Sequence, residues 1–200
     1  MANNFVNSFA SIVTAGEFYQ SNASDASTGP QTVYTANNGS SGVNSILVEL
    51  DAANTSSAGI TVSAFIQDTS ATLGSITSIA SSSDVATVTT GSAHGLKVGQ
   101  YVNVTGSSTN FVNGMYKVAS VPSTTTFTYA QNSGAANGAA AGTIVIYKAY
   151  HIVKDAPVPS GSTLKIVAGQ KVVLNSNDKV IAYASAGTVD VIAGVLQEVT

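Results

Sequence analysis

From Gln31 onward, apolar and polar residues alternate with a period of two. Residues 32–35 read as a short strand, followed by a turn at Asn37-Asn38-Gly39. In 45–50, Ile46, Val48 and Leu50 fall on one face, and 51–59 reads as a polar loop. Ile60, Val62, Ala64 and Ile66 then alternate with Thr61, Ser63 and Phe65, the pattern of a half-buried strand. The same texture returns after Gly142, with strand-like stretches at 144–147 and 150–153. The segment 155–162 is expected to interrupt them, because Pro157 and Pro159 cannot donate to a central ladder. Further strands are predicted at 163–167, 171–174, 179–184 and 189–195, with turns at 175–178 and 186–187. No helix-period segment of useful length occurs in this part. The pattern predicts an all-β fold, an antiparallel β-sandwich or jelly roll.

Two stretches break the texture. Residues 75–142 carry a complete set of short strands of their own, at 75–81, 85–90, 101–105, 114–121 and 126–129. They leave through a low-complexity stretch, 131–138. This predicts a second small β-domain, 75–142, inserted into a main sandwich built from 31–74 and 143–200. Residues 1–30 form an N-terminal arm without a sustained period. There Phe5, Phe9 and Ile12 share one helical face, predicting a short helix over 4–15. Phe5, Phe9, Phe18 and Tyr19 are the candidate subunit-interface residues. The arm is either a frayed tail with some core contacts or a segment that docks its aromatics on a neighbour.

Composition sharpens the picture. The 200 residues are 44% apolar but only 8% charged, about a third of the usual share, and the formal net charge is −3. Such a surface gives weak electrostatic protection against association, which suits a component of an assembly. Every basic residue is lysine, so the bidentate guanidinium fork for phosphate is missing and a nucleic-acid partner is not expected. Zero cysteines remove thiol nucleophiles, disulfides and cysteine-ligated zinc. No stretch approaches the ~18 continuous apolar residues of a membrane span, so no membrane partner is expected. The N-terminus lacks the basic and apolar regions of a secretory signal, and synthesis in a cytoplasm is the expectation.

Three blocks in order carry a resemblance. They are Ala93-His94-Gly95-Leu96-Lys97-Val98-Gly99-Gln100-Tyr101-Val102, then Phe111-Val112-Asn113-Gly114-Met115-Tyr116-Lys117-Val118, then Thr124-Thr125-Thr126-Phe127-Thr128-Tyr129. This segment resembles a small, Ig-like β-module found repeatedly in tailed-bacteriophage virion proteins. Gly95 and Gly99 permit turns, Asn113-Gly114 fits a tight hairpin, and Phe111, Tyr116, Phe127 and Tyr129 supply core bulk. Val112 departs from the usual pattern by separating Phe111 from Asn113-Gly114. The outer half is also similar to phage structural β-domains, through Leu50-Asp51-Ala52-Ala53-Asn54, the 154–164 segment and Gly169-Gln170-Lys171-Val172-Val173-Leu174.

What the resemblance implies is a virion structural protein, made in a host bacterial cytoplasm. A capsid decoration or cement role is favoured, with the major capsid protein or other virion proteins as partners and a homo-oligomer, preferably a trimer, as the working form. A tail, neck or baseplate role is the alternative. A host-glycan-binding module is the reading from another class, with Tyr101, Tyr116 or Tyr129 stacking on sugars.

Candidate chemistry is sparse. His94 lacks a nearby second histidine and reads as a turn residue, and His151 reads as a packed or interface histidine. Asp51, Asp68, Asp155, Asp178 and Asp190 are scattered without calcium-loop spacing. No phosphate-binding loop or nucleophile elbow occurs. The expectation is a non-enzyme with no catalytic residues, metal or cofactor.

Overall fold

The computed structural model describes residues 4–12, 30–36, 44–108, 113–131, 138–186 and 188–199. Among them every regular element is a strand. The strands pair antiparallel throughout and the chain forms two compact units. The first holds the described residues within 1–17, 27–70 and 150–200; the second holds those within 71–149.

In the first unit, β1 (Asn4–Ile12), β14 (Val189–Val199), β3 (Asn44–Asn54) and β12 (Thr163–Leu174) form a four-stranded sheet in the order β1-β14-β3-β12. The C-terminal part of β11 (Gly142–Val158), β4 (Ile60–Thr72), β13 (Lys179–Ala184) and β2 (Gln31–Thr35) follow one another in the opposing layer. Alternation explains the core between them. Leu47, Leu50 and Ala52 of β3, Val191, Ala193 and Val195 of β14, and Val62, Ala64 and Ala182 of β4 and β13 are all buried. So many alanines let the layers approach closely while each strand still buries one face.

The second unit orders β10 (Gly138–Ala139), β5 (Ile76–Ser82), β6 (Val85–Thr90), β9 (Thr126–Ala130), β8 (Gly114–Ser123), β7 (Tyr101–Ser107) and the N-terminal part of β11. Its core gathers Val88, Val102, Val118, Tyr116, Phe127 and Tyr129. The rings of Tyr116 and Tyr129 stack at 4.0 Å, 21° apart. Burial first, and then neighbouring Tyr116, pushes the Tyr129 phenol well above its ordinary range.

Several expectations are corrected. Residues 4–12 are a strand, not a helix: Val6, Ser8, Ala10 and Ile12 turn toward the core while Phe5, Asn7, Phe9 and Ser11 are exposed. The Phe5/Phe9/Ile12 spacing fits a helical stripe, but the alternation beneath it and nine consecutive partners on β14 decide for the strand. The loop placed at 51–59 begins later, because β3 continues to Asn54 with Ala52 and Asn54 buried. On β3, Leu47 and Leu50 are buried and Ile46 and Val48 only half-buried, so Ile46, Val48 and Leu50 do not share a face. A register shift around Glu49 inserts the extra residue.

The proline segment does not break β11 at 155, since the strand runs through Pro157 to Val158, with Asp155 at φ 50° taking up the irregularity. The two strands expected at 163–167 and 171–174 are one, β12, bulged between Ala168 and Val172 where Gly169 sits at φ 75°. Asn113-Gly114 is not a two-residue hairpin, since the connection spans Ser107 to Gly114. The Asn113 side chain closes it, accepting from Ser107 N–H at 2.9 Å and donating to Ser107 C=O at 2.8 Å. The turn at 37–39 and the core role of Phe111 lie outside the described residues.

Candidate interface surface

Pairing register places a row of apolar side chains across the outer face of the four-stranded sheet. Phe5 on β1 lies opposite Leu196 on β14, Leu196 opposite Ile46 on β3, and Ile46 opposite Val173 on β12. Directly paired residues project from the same face, so the four side chains form one line. Phe5 is 68% exposed and Val173 58%. A second row starts with Phe9, 69% exposed, opposite Ile192, 39% exposed. It continues to Asp51 and ends at Lys165. There the Lys165 ammonium lies 3.8 Å from both Glu49 and Asp51 carboxylates. The face is thus mostly apolar on the β1 side, where Asp190 beside Ser11 is the charged exception, and its ion pairs lie on the β3–β12 side.

The candidate residues divide cleanly. Phe5 and Phe9 stand on this face, and Phe18 and Tyr19 lie outside the described residues. Leu196 and Val173 were not singled out from the sequence, and Ile46 was grouped with Val48 and Leu50 instead of with this face. Their signal is that the strands lose strict alternation there, as in Ile46-Leu47-Val48 and Val172-Val173-Leu174, so that both faces are apolar.

Tyr116 and Tyr129 are buried in the second unit's core, as the motif blocks led one to expect, and Tyr101 is half-buried, so two of the three rings of the sugar-stacking alternative are out of reach. His94 is buried too. Its Nδ1 accepts the Leu96 N–H at 3.0 Å, and its ring meets the Phe127 ring edge-on at 5.2 Å. That arrangement holds the Gly95 turn. Among the described residues no group of three or more His, Asp or Glu side chains is placed to hold a metal ion.

Within β4, Asp68 accepts from Ser70 N–H at 2.9 Å, and Asp190 accepts from the Ser11 hydroxyl at 2.6 Å. Asp155 accepts from Ser63 Oγ and Tyr183 OH, both at 3.3 Å, and pairs with Lys154.

His151, tilted against Phe65 at 6.0 Å, is held below its ordinary range chiefly by burial and then by the Lys154 charge, with Asp155 opposing. The unfolded chain therefore binds a proton here more readily than the folded one. Its contribution to stability is full above about pH 6.5 and is lost as the pH falls toward the lower folded value. Asp155 is also held low, first by its hydrogen bond to Lys154, and adds a second loss below pH 3.8. Thermal melts should thus show the midpoint dropping between pH 7.5 and 5, and His151→Gln should flatten that drop. An unchanged slope in the variant would remove His151 as its source.

Compared with known protein families, curated proteins and solved structures, the chain has no match.

Proposed function

We propose that this chain is a structural subunit of a tailed-bacteriophage particle that works by binding, not catalysis, and that its role is capsid decoration. The observation that carries the binding role is the Phe5–Leu196–Ile46–Val173 row, an apolar line across a whole sheet face. Chains that remain free in solution rarely expose such a line without a partner. The low charge of the chain, 8% of residues, supports the same reading. The phage assignment rests on the three motif blocks of the second unit.

In this reading the face seats on the major capsid protein, and copies of the chain associate with one another on the head surface. Burial of tyrosine rings 116 and 129 argues against the glycan module, which would need them in the open.

Quantitative mass spectrometry of purified virions against the major capsid protein tests the proposal. A count of order one hundred or more is the expected result, matching the many repeated sites of a head. About a dozen copies would move the chain to the neck or tail, where rings are small. Absence from the particle would overturn the virion role altogether.

A further inference from the structure

A β-sheet exposes unpaired main-chain N–H and C=O groups along each edge, and proteins ordinarily defend such edges. The edges of this chain differ in how they do so. β12 is bulged at two places and carries Lys165 and Lys171. β2 is five residues long and β10 two. Although β2 of the opposing layer approaches it, with the Ser8 hydroxyl donating to the Val33 carbonyl at 2.6 Å, β1 has none of these defences along its own sequence. Its nine residues, Asn-Phe-Val-Asn-Ser-Phe-Ala-Ser-Ile, contain no charge, proline or glycine. Its pairing with β14 runs from Asn4↔Gln197 to Ile12↔Val189 without a register shift. Among the described residues no strand pairs with its other edge.

We propose that this edge joins two copies of the chain, β1 pairing antiparallel with β1 of a second copy about a twofold axis at Ser8. Centring on Ser8 engages all nine residues. It sets Phe5 opposite the partner copy's Ser11, Val6 opposite its Ala10, and Asn7 opposite its Phe9. Inward-facing residues thus meet inward-facing ones, and outward-facing residues meet outward-facing ones. The two Phe9 rings become diagonal neighbours, close enough for aromatic contact.

The charge pattern selects a second copy as the occupant. A twofold axis brings each strand against itself, which is costly wherever the strand carries a charge. β1 carries none, whereas self-pairing of β12 would bring lysines together. The arrangement is isologous and closes at two copies, in place of the threefold association the sequence reading favoured. It holds whichever particle the chain belongs to, and it leaves the apolar sheet face open for another partner.

Sedimentation velocity of the full chain, from low micromolar to near-millimolar concentration, reads the association. The expected result is a concentration-dependent monomer–dimer equilibrium, shifted at least tenfold toward monomer by Phe9→Lys. Circular dichroism checks that this variant remains folded; Phe9 is exposed, so the sheet should persist.

Because the chain has no cysteine, the double variant Asn7→Cys/Phe9→Cys gives an independent reading of register. It should form a covalent dimer under oxidation, while Asn4→Cys/Phe5→Cys should not. A monomer at every concentration, with β1 amides protected from hydrogen exchange, would mean that another segment of the same chain covers the edge, and would overturn the proposal. A dimer indifferent to Phe9→Lys and not cross-linked through positions 7 and 9 would overturn it equally.

Discussion

Replacing Asp178 by alanine is expected to destabilise the first unit by about 3–5 kcal/mol, among the largest losses any single side chain here can produce. Asp178 is 3% exposed and sits at the turn between β12 and β13. Its Oδ1 accepts the Thr69 N–H at 2.9 Å and the Thr69 hydroxyl at 3.1 Å, and its Oδ2 accepts the Asn175 N–H at 2.9 Å. Its own carbonyl takes the Ala36 N–H at 2.8 Å. One carboxylate therefore ties the end of β4 to the turn, while its backbone holds the chain leaving β2.

Alanine keeps the backbone bonds and leaves the Thr69 hydroxyl its Ser176 carbonyl at 3.2 Å, but strands the Thr69 and Asn175 N–H groups, each costing about 1–3 kcal/mol when left unpaired. Asp178→Asn preserves one acceptor oxygen and presents an amide N–H to the donor on the other side, so about half the loss should remain. Urea unfolding measures both: the midpoint should fall with the slope unchanged. A midpoint within error of the parent for the alanine variant would show that water replaces the carboxylate.

Gly106→Ala should be of comparable size, and for a different reason. Gly106 lies in β7 at φ 80°, and a Cβ there would stand 2.0 Å from the Thr143 carbonyl oxygen and 3.1 Å from its carbon. Both obstacles are backbone, so neither can rotate away. The left-handed conformation adds its own penalty for any residue with a Cβ. Relief requires β7 and β11 to separate where Gly142 pairs with Ser107.

The expected cost is about 3 kcal/mol or more, read as lost hydrogen-exchange protection along 101–107 and 144–149. Gly138→Ala is the control. Gly138 also has positive φ, 137°, but nothing lies within 4 Å of its Cβ position, so only the conformational penalty of about 1–3 kcal/mol applies, without the backbone clash. Equal losses in the two variants would show that the close approach to Thr143 is not what Gly106 protects.

Much of the strand order was legible along the chain because the signals are local. Alternation with glycine or asparagine punctuation placed β6 at Val85–Thr90 and β13 at Lys179–Ala184 to the residue. What misled was chemistry that only a partner strand decides. Phe5, Phe9 and Ile12 share a helical face, whereas a strand puts Phe5 and Phe9 on one face and Ile12 on the other, and it is β14 that settles which period counts. Pro157 reads as a breaker, yet it is tolerated near the end of β11, where the ladder is about to stop. The bulge around Glu49 shifts Ile46 and Val48 to the outer face, and a count of alternating positions carries no trace of it. The apolar row was hidden for the same reason. Phe5 was visible as a candidate, but the line it begins exists only once four strands are in register.

The ends of the second unit lie side by side. Near its start, the Leu73 N–H donates to the carbonyl of Ile146, near its finish, at 3.0 Å. A segment whose entry and exit are one hydrogen bond apart behaves as a cassette in genetic terms. A host strand connection can receive it with little change in the path of the chain, and can lose it by rejoining neighbouring ends. Recombination within the reading frame could thus carry 71–149 from one β-protein to another, with both hydrophobic cores left intact.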